Sequence, residues 1–207
     1  MKSLPQLFAN NRAWAAQCTH SDAQYFARLC AIQRPDYLWI GCADSRVPAN
    51  QIVGLAPGEL FVHRNVGNLV RPDDRNCLSV LQYAVDALRI SHIIVCGHYR
   101  CGGIQAAFGA PMSEPLEGWI TQVRALRERH AAELAALADD DARWDRLCEL
   151  NVVAQANTLA GVPTVARAWE RGQQLAIHSW IYDLHDGLLR DLEVSIRAPG
   201  EAPRAQT

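Results

Sequence analysis

Two apolar runs of strand length, Tyr37-Leu-Trp-Ile-Gly-Cys42 and His92-Ile-Ile-Val-Cys-Gly97, each stop in residues that bind soft metals. The first runs into Ala43-Asp-Ser-Arg46, the second into His98-Tyr-Arg-Cys101-Gly-Gly. Short, continuous apolar runs of about four to eight residues suit strands buried on both faces, as in parallel sheets covered by helices. Parallel strands end at one edge of their sheet, so Cys42, His98 and Cys101 are expected to meet there.

The remaining periodicity supplies the helices such a sheet needs. Leu4, Leu7, Phe8, Trp14, Ala15 and Cys18 make an apolar stripe at helical spacing, and Ser21-Asp22 can cap a second helix that Pro35 ends. Residues 48–58 read as a loop or short helix, and Glu59-Leu-Phe-Val-His63 as a strand. Arg64-Asn-Val-Gly-Asn68 has the residues of a functional loop. One helical face runs from Asp74 to Leu88 through Cys77, Leu81, Ala84 and Val85, and a short helix opens at Gly102-Gly103. Helices are expected over 116–130, in one or two pieces from Asp139 to Leu159, and over 164–171. Leu175–Tyr182 and Leu188–Ile196, joined through Asp186-Gly187, read as two final strands. The expected fold class is α/β. It is a mainly parallel four-stranded sheet with one antiparallel edge strand, flanked by helices, as a single domain over 1–207 with a helical arm (1–20) and a disordered tail (199–207).

Composition narrows the function. A net charge of −2 with no Lys/Arg block argues against nucleic acid or a membrane surface as a partner. No apolar run nears the roughly 18 residues of a membrane span. Met1-Lys-Ser-Leu-Pro5 has no secretory core, so a cytoplasmic location is expected. The seven cysteines, at 18, 30, 42, 77, 96, 101 and 148, are odd in number and irregularly spaced. They read as reduced thiols acting as ligands, nucleophiles or small hydrophobes, the last fitting Cys77 and Cys96.

Cys42, His98 and Cys101 form a Cys2His set, which suits Zn2+. Three protein ligands leave a catalytic fourth position open; alternatively Asp44, two residues from Cys42, fills it and closes a structural site. A phosphatase-type Cys-x5-Arg loop fails because position 48 is Pro, and no Cys-x-x-Cys is present. Asp44 beside Arg46 stays ionised, since the opposite charge favours the carboxylate. An ionised aspartate only accepts hydrogen bonds, so beside a zinc-bound solvent it orients hydroxide.

Cys42-Ala-Asp-Ser-Arg46 together with Gly97-His98-x-x-Cys101-Gly-Gly, with Glu59–Gly67 between them, resembles the β-class carbonic anhydrases, over about residues 4 to 196. The resemblance implies one Zn2+ per chain and reversible hydration of CO2 to bicarbonate and a proton by zinc-bound hydroxide, with Asp44 and Arg46 catalytic. By position it implies a substrate pocket lined by Gln33, Phe61, Val66, Tyr83 and the Gly102 amide.

A bacterial, bicarbonate-regulated subgroup carries a second bicarbonate site of Trp, Arg and Tyr, which Trp39, Arg64 and Tyr182 match. There the Asp of the Cys-x-Asp-x-Arg motif can swing onto zinc, so Asp44 is expected to be a gate as well as an orienter. The family implies a homodimer or homotetramer. Many members continue into a C-terminal helix where this chain has a Pro/Gly-rich tail, which favours a dimer built through the N-terminal arm. Two other readings keep the zinc: a hydrolase of CS2 or carbonyl sulfide, and a non-catalytic bicarbonate-sensing module.

Overall fold

The structure is a computed structural model describing residues 4–31 and 33–198. The chain divides into two compact units between Arg34 and Pro35. The expected disordered tail, 199–207, lies outside the described residues.

The first unit is a helical hairpin of α1 (Leu4–Ser21) and α2 (Tyr25–Ala31). Asp22 forms the corner, its Oδ1 accepting the Gln24 N–H at 3.0 Å, while Trp14 meets Phe26 edge-on with ring centroids 5.7 Å apart. No residue of α1 is buried.

The second unit is built on one sheet. Strands β1 (Tyr37–Cys42), β2 (Leu60–Asn65), β3 (His92–His98), β4 (Ala176–Tyr182) and β5 (Leu189–Ile196) lie in the order β2-β1-β3-β4-β5. The first four are parallel and β5 is antiparallel to β4, as the Asp186-Gly187 turn requires. The chain leaves β1 to one side for β2 and returns to its other side for β3. The carboxyl ends of β1 and β3 therefore flank the reversal of strand order, where open α/β sheets bind ligands.

Helices α3 (Ala49–Ile52), α4 (Arg75–Gln82), α5 (Gly102–Gln105), α6 (Leu116–Arg129), α7 (Ala131–Ala135), α8 (Asp140–Ala160) and α9 (Pro163–Glu170) complete the unit. The continuous apolar runs are explained by burial on both faces. On one face Leu38, Ile40, Ile93, Val95, Ile177 and Ile181 join a core with Leu147, Cys148, Val152 and Leu159 of α8. On the other, Trp39, Leu60, Ile94 and Cys96 pack with Ala49 and the half-buried Trp180 and Tyr182.

One expectation changes in detail and another is narrowed. The Asp74–Leu88 helix is α-helical only to Gln82 and then widens into a π turn, Tyr83–Ala87, closed by the Leu88 N–H on Tyr83 O at 3.0 Å. That extra residue leaves Tyr83 half exposed while Ala84 and Val85 stay buried. The stretch after Asp139 is one helix, because Asp139 is its N-cap and accepts the Ala142 N–H at 2.8 Å.

A candidate metal centre at two strand ends

Cys42 ends β1, His98 ends β3 and Cys101 precedes α5, all three buried. Their ligand atoms lie within 4.8 Å of one another, and the two sulfurs are 3.7 Å apart. Two thiolates bound at about 2.3 Å in a tetrahedron stand about 3.8 Å apart, so the pair is already at zinc spacing. The imidazole is set for the same task. Its Nδ1 lies 2.8 Å from the Tyr99 carbonyl, which can only accept, so Nδ1 carries the proton and Nε2 presents a bare lone pair. That buried Nε2 has no hydrogen-bond partner among the described residues.

One other group of ligand-type atoms is as close among the described residues, His63 with Asp74 and Cys77. It lacks the orphaned acceptor. His63 Nε2 has the Asn65 amide at 3.2 Å, Asp74 Oδ1 caps α4, and burial pushes the Cys77 thiol up to about 12.

The electrostatics of the centre follow from its neighbours. The hydrogen bond from Cys101, with help from the Gly67 and Asp44 amides, holds the Cys42 thiol down to about 4. The same contact, then burial, pushes Cys101 up, so the two sulfurs share one proton until a metal takes its place. Arg46 grips Asp44 with Nε on Oδ1 at 2.9 Å and Nη2 on Oδ2 at 2.7 Å, which holds the carboxyl well below the usual range. Asp44 Oδ2 is also 3.6 Å from His98 Nε2, so the carboxylate borders the ligand cluster without joining it. Arg64 donates through Nε to Cys42 O at 2.8 Å and through Nη2 to Asp44 O, fixing the backbone on both sides of Ala43.

Of the expected pocket residues, Phe61 and Tyr83 meet with ring centroids 5.8 Å apart, and Val66 is partly exposed. Among the described residues, and apart from its chain neighbours and its own helix, no atom lies within 4 Å of the place a Cβ on Gly102 would occupy, so space is open beside Cys101. At Gly103 a Cβ would sit 2.7 Å from Val66 Cγ1, so this glycine permits α5 to approach the 66–67 loop. Gln33 belongs to the first unit, and the other pocket residues to the second. Trp39, Arg64 and Tyr182 stand on β1, β2 and β4; Trp39 is fully buried and Tyr182 packs on its cluster.

Sequence reasoning expected α8 as a helix but missed its role, which is to hold the whole loop between His98 and Cys101. Tyr99 O–H donates to Glu149 Oε1 at 2.6 Å, and Arg100 N–H to Asp145 Oδ1 at 3.3 Å. The Arg100 guanidinium pairs with Asp141, and Trp144 Nε1 donates to Cys101 O at 2.9 Å. Arg100 sits in the left-handed region at φ 59°, a conformation these partners stabilise. The only trace in the sequence is the spacing of Asp141, Trp144, Asp145, Cys148 and Glu149 on one helical face.

The family profile described as carbonic anhydrase matches residues 37–189, the stretch that carries both motifs and every strand up to the start of β5. The chain belongs to the β-class carbonic anhydrases. It is similar to the carbonic anhydrase of Emericella nidulans, 44% identical over 189 residues, spanning 91% of this chain and 83% of that one. Among solved structures, the Coccomyxa β-carbonic anhydrase in complex with acetazolamide superposes with a TM-score of 0.90 at 44% identity, covering 95% of this chain and 89% of that one. A structure from a study of two tetrameric β-carbonic anhydrases of Sordaria macrospora gives 0.88 at 37% identity, covering 92% and 97%. This carbonic anhydrase is thus a zinc-dependent lyase that hydrates CO2 reversibly to bicarbonate and a proton.

Proposed function

We propose that Cys42, His98 and Cys101 hold the zinc ion, one per chain, and that Asp44 and Arg46 are the catalytic pair beside it. The carrying observation is the buried Nε2 of His98, without a hydrogen-bond partner among the described residues, beside two sulfurs at zinc spacing. Zinc supplies what it is established to supply in carbonic anhydrases, a water made acidic enough to act as nucleophile at neutral pH. The chain's part is orientation. Asp44, with both oxygens engaged by Arg46, has only acceptor capacity left and directs a nucleophile that still carries a proton. Phe61, Val66 and Tyr83 offer apolar surface to an uncharged linear substrate, and the Gly102 amide, at the first position of α5, offers it a donor.

The finer reading is the bicarbonate-regulated subgroup, with Trp39, Arg64 and Tyr182 as a second anion site. Arg64 supports it, because its guanidinium now holds the Cys42 and Asp44 carbonyls. An anion that draws Arg64 away releases the backbone of Asp44, whose carboxylate already borders His98. Asp44 is then a gate that can close on the metal, and the enzyme is allosteric.

The enzyme further works as a homodimer or homotetramer. The tetrameric Sordaria relatives support an oligomer, as do the exposed Leu4, Leu7, Phe8 and Trp14 of α1, which suit an arm laid on a second copy. No helix among the described residues is long and apolar enough to cross a membrane, and we place the enzyme in the cytoplasm.

Stopped-flow CO2 hydration at high pH tests the whole reading. Activity should vanish with a zinc chelator, return with zinc and fall with acetazolamide. No hydration at any pH would sink it. The gate predicts that added bicarbonate inhibits steeply at low pH and that Trp39→Ala removes this inhibition; a smooth single-ionisation profile unchanged by Trp39→Ala overturns the gate alone. Light scattering decides the oligomer, and a monomer overturns the arm.

A further inference from the structure

Two amides lie in the core of the second unit, on the face of α8 turned to the sheet. Asn151 is 0% exposed and Gln155 4%. Burying such groups is costly unless their polar atoms are paired, and these two pair in a directed chain. Gln155 Oε1 accepts the Val70 N–H at 2.8 Å, Gln155 Nε2 donates to Asn151 Oδ1 at 2.9 Å, and Asn151 Nδ2 donates to Gly67 O at 2.9 Å. Both ends of the chain finish on one loop, Val66–Val70.

That loop is the one that reaches the metal centre. Gly67 takes φ 78°, in the left-handed region that favours glycine, and its backbone N lies 3.4 Å from where a Cβ on Gly103 would sit, two residues past Cys101; just before the loop, Asn65 O accepts the Ala43 N–H at 2.8 Å, beside Cys42. The loop is braced elsewhere too. Asn65 accepts the Leu69 N–H and donates to Leu69 O, both at 2.7 Å, and Trp119 Nε1 donates to Val66 O at 2.8 Å. The bonds from α8 are the ones made to Gly67 itself and to the loop's exit at Val70. The same helix, one to two turns earlier, holds the Tyr99–Cys101 loop through Trp144 and Asp145.

We propose that Asn151 and Gln155 are positioning residues for the zinc site: they hold the Val66–Val70 loop against the chain next to Cys42 and Cys101 and so set how tightly and in what geometry these sulfurs bind the metal. The inference rests on Cys42 being a zinc ligand. An apolar pair could fill the same volume but would leave Gly67 O and Val70 N–H without these partners, and the loop could then shift away from the two cysteines. Groups bonded directly to a ligand typically change metal affinity by about 10–100-fold when lost, and supports further out, such as these, should fall toward the low end of that range.

The test compares Asn151→Ala and Gln155→Glu with Leu159→Ala, a buried apolar change on the same helix. Gln155→Glu keeps the volume and the acceptor for Val70 but replaces the donor to Asn151 with an oxygen, so it serves if the alanine variant does not fold. Three quantities are read: thermal stability, zinc affinity by chelator competition, and the thiolate-to-metal and ligand-field absorption of the cobalt-substituted enzyme. The positioning variants should bind zinc about 10-fold or more weakly and shift the cobalt bands. Leu159→Ala should lose thermal stability with affinity and bands unchanged. Unchanged bands and affinity in the folded positioning variants, or an equal change in Leu159→Ala, overturn the proposal. If Cys42→Ser leaves the cobalt–thiolate absorption intact, the ligand assignment has failed instead.

Discussion

Asp44 and Arg46 face each other in a two-pronged ion pair, Nε to Oδ1 at 2.9 Å and Nη2 to Oδ2 at 2.7 Å, while the same Oδ2 stands 3.6 Å from His98 Nε2. One carboxylate is thus shared between a cation that keeps it ionised and the edge of a metal centre. Arg46 also donates its backbone N–H to Asp44 Oδ1 at 2.9 Å, so the turn itself holds the carboxylate's orientation. An acceptor fixed in this way costs no reorganisation when a proton-bearing nucleophile arrives.

Asp44→Asn should keep one zinc per chain and lose rate. The amide has the same shape, yet one of its two positions becomes a donor and the grip of Arg46 weakens. Loss of an acid–base orienter predicts a fall in kcat of about 10²-fold or more. Stopped-flow hydration and metal analysis on the same sample check this; wild-type rates would remove Asp44 from the mechanism.

Cys42→Ser should lose most of its zinc. The 3.7 Å pair of sulfurs becomes one sulfur and a hard hydroxyl that stays protonated at neutral pH, which leaves two good ligands. Dialysis against a chelator, followed by metal analysis, should strip this variant at concentrations that leave the wild type loaded. Equal retention would show that the metal sits elsewhere.

Stability should fall in mild acid because of a histidine pair far from the metal. His92 Nδ1 and His178 Nε2 are 3.0 Å apart, and burial lowers the pKa of both below 6.5, with Arg197 adding to the effect on each. The unfolded rings take up protons as pH falls through 6.5, whereas the folded ones wait for lower pH. Over that interval the unfolded state binds more protons, so stability is full above about pH 7.5 and declines as pH falls below 6.5. Urea midpoints at pH 7.5 and 5.5 should show this decline, and His178→Phe should flatten it. An equal slope in the variant would mean that other groups set the acid limit.

Gly97→Ala should cost about 1–3 kcal/mol, since its Cβ would stand 2.5 Å from Val152 Cγ2 on α8. The clash names its own remedy. Val152→Ala on that background should recover part of the loss in a denaturant melt, although alone it destabilises by leaving a cavity. Strictly additive losses in the double variant would show that β3 and α8 are not in the contact described.

The local facts of this protein were legible in its amino-acid order. Apolar runs of strand length ending at Cys42 and His98, the stripes of the helices and the Asp186-Gly187 turn all declare themselves through neighbours along the chain, because burial on a strand or helix repeats with a short period. Chemistry was legible on the same terms, since a cysteine, a carboxylate and an arginine within five residues are held near one another by covalent geometry alone. The 3.7 Å between sulfurs 59 residues apart was decided by the order β2-β1-β3-β4, which sets the ends of β1 and β3 side by side. The role of α8 was decided there too. Asn151 and Gln155 reach a loop 84 and 85 residues earlier, and nothing in their surroundings along the chain marks them off from other polar helix positions. Their partners are backbone groups, which every residue carries alike; only the packed fold selects which carbonyl and which amide they meet.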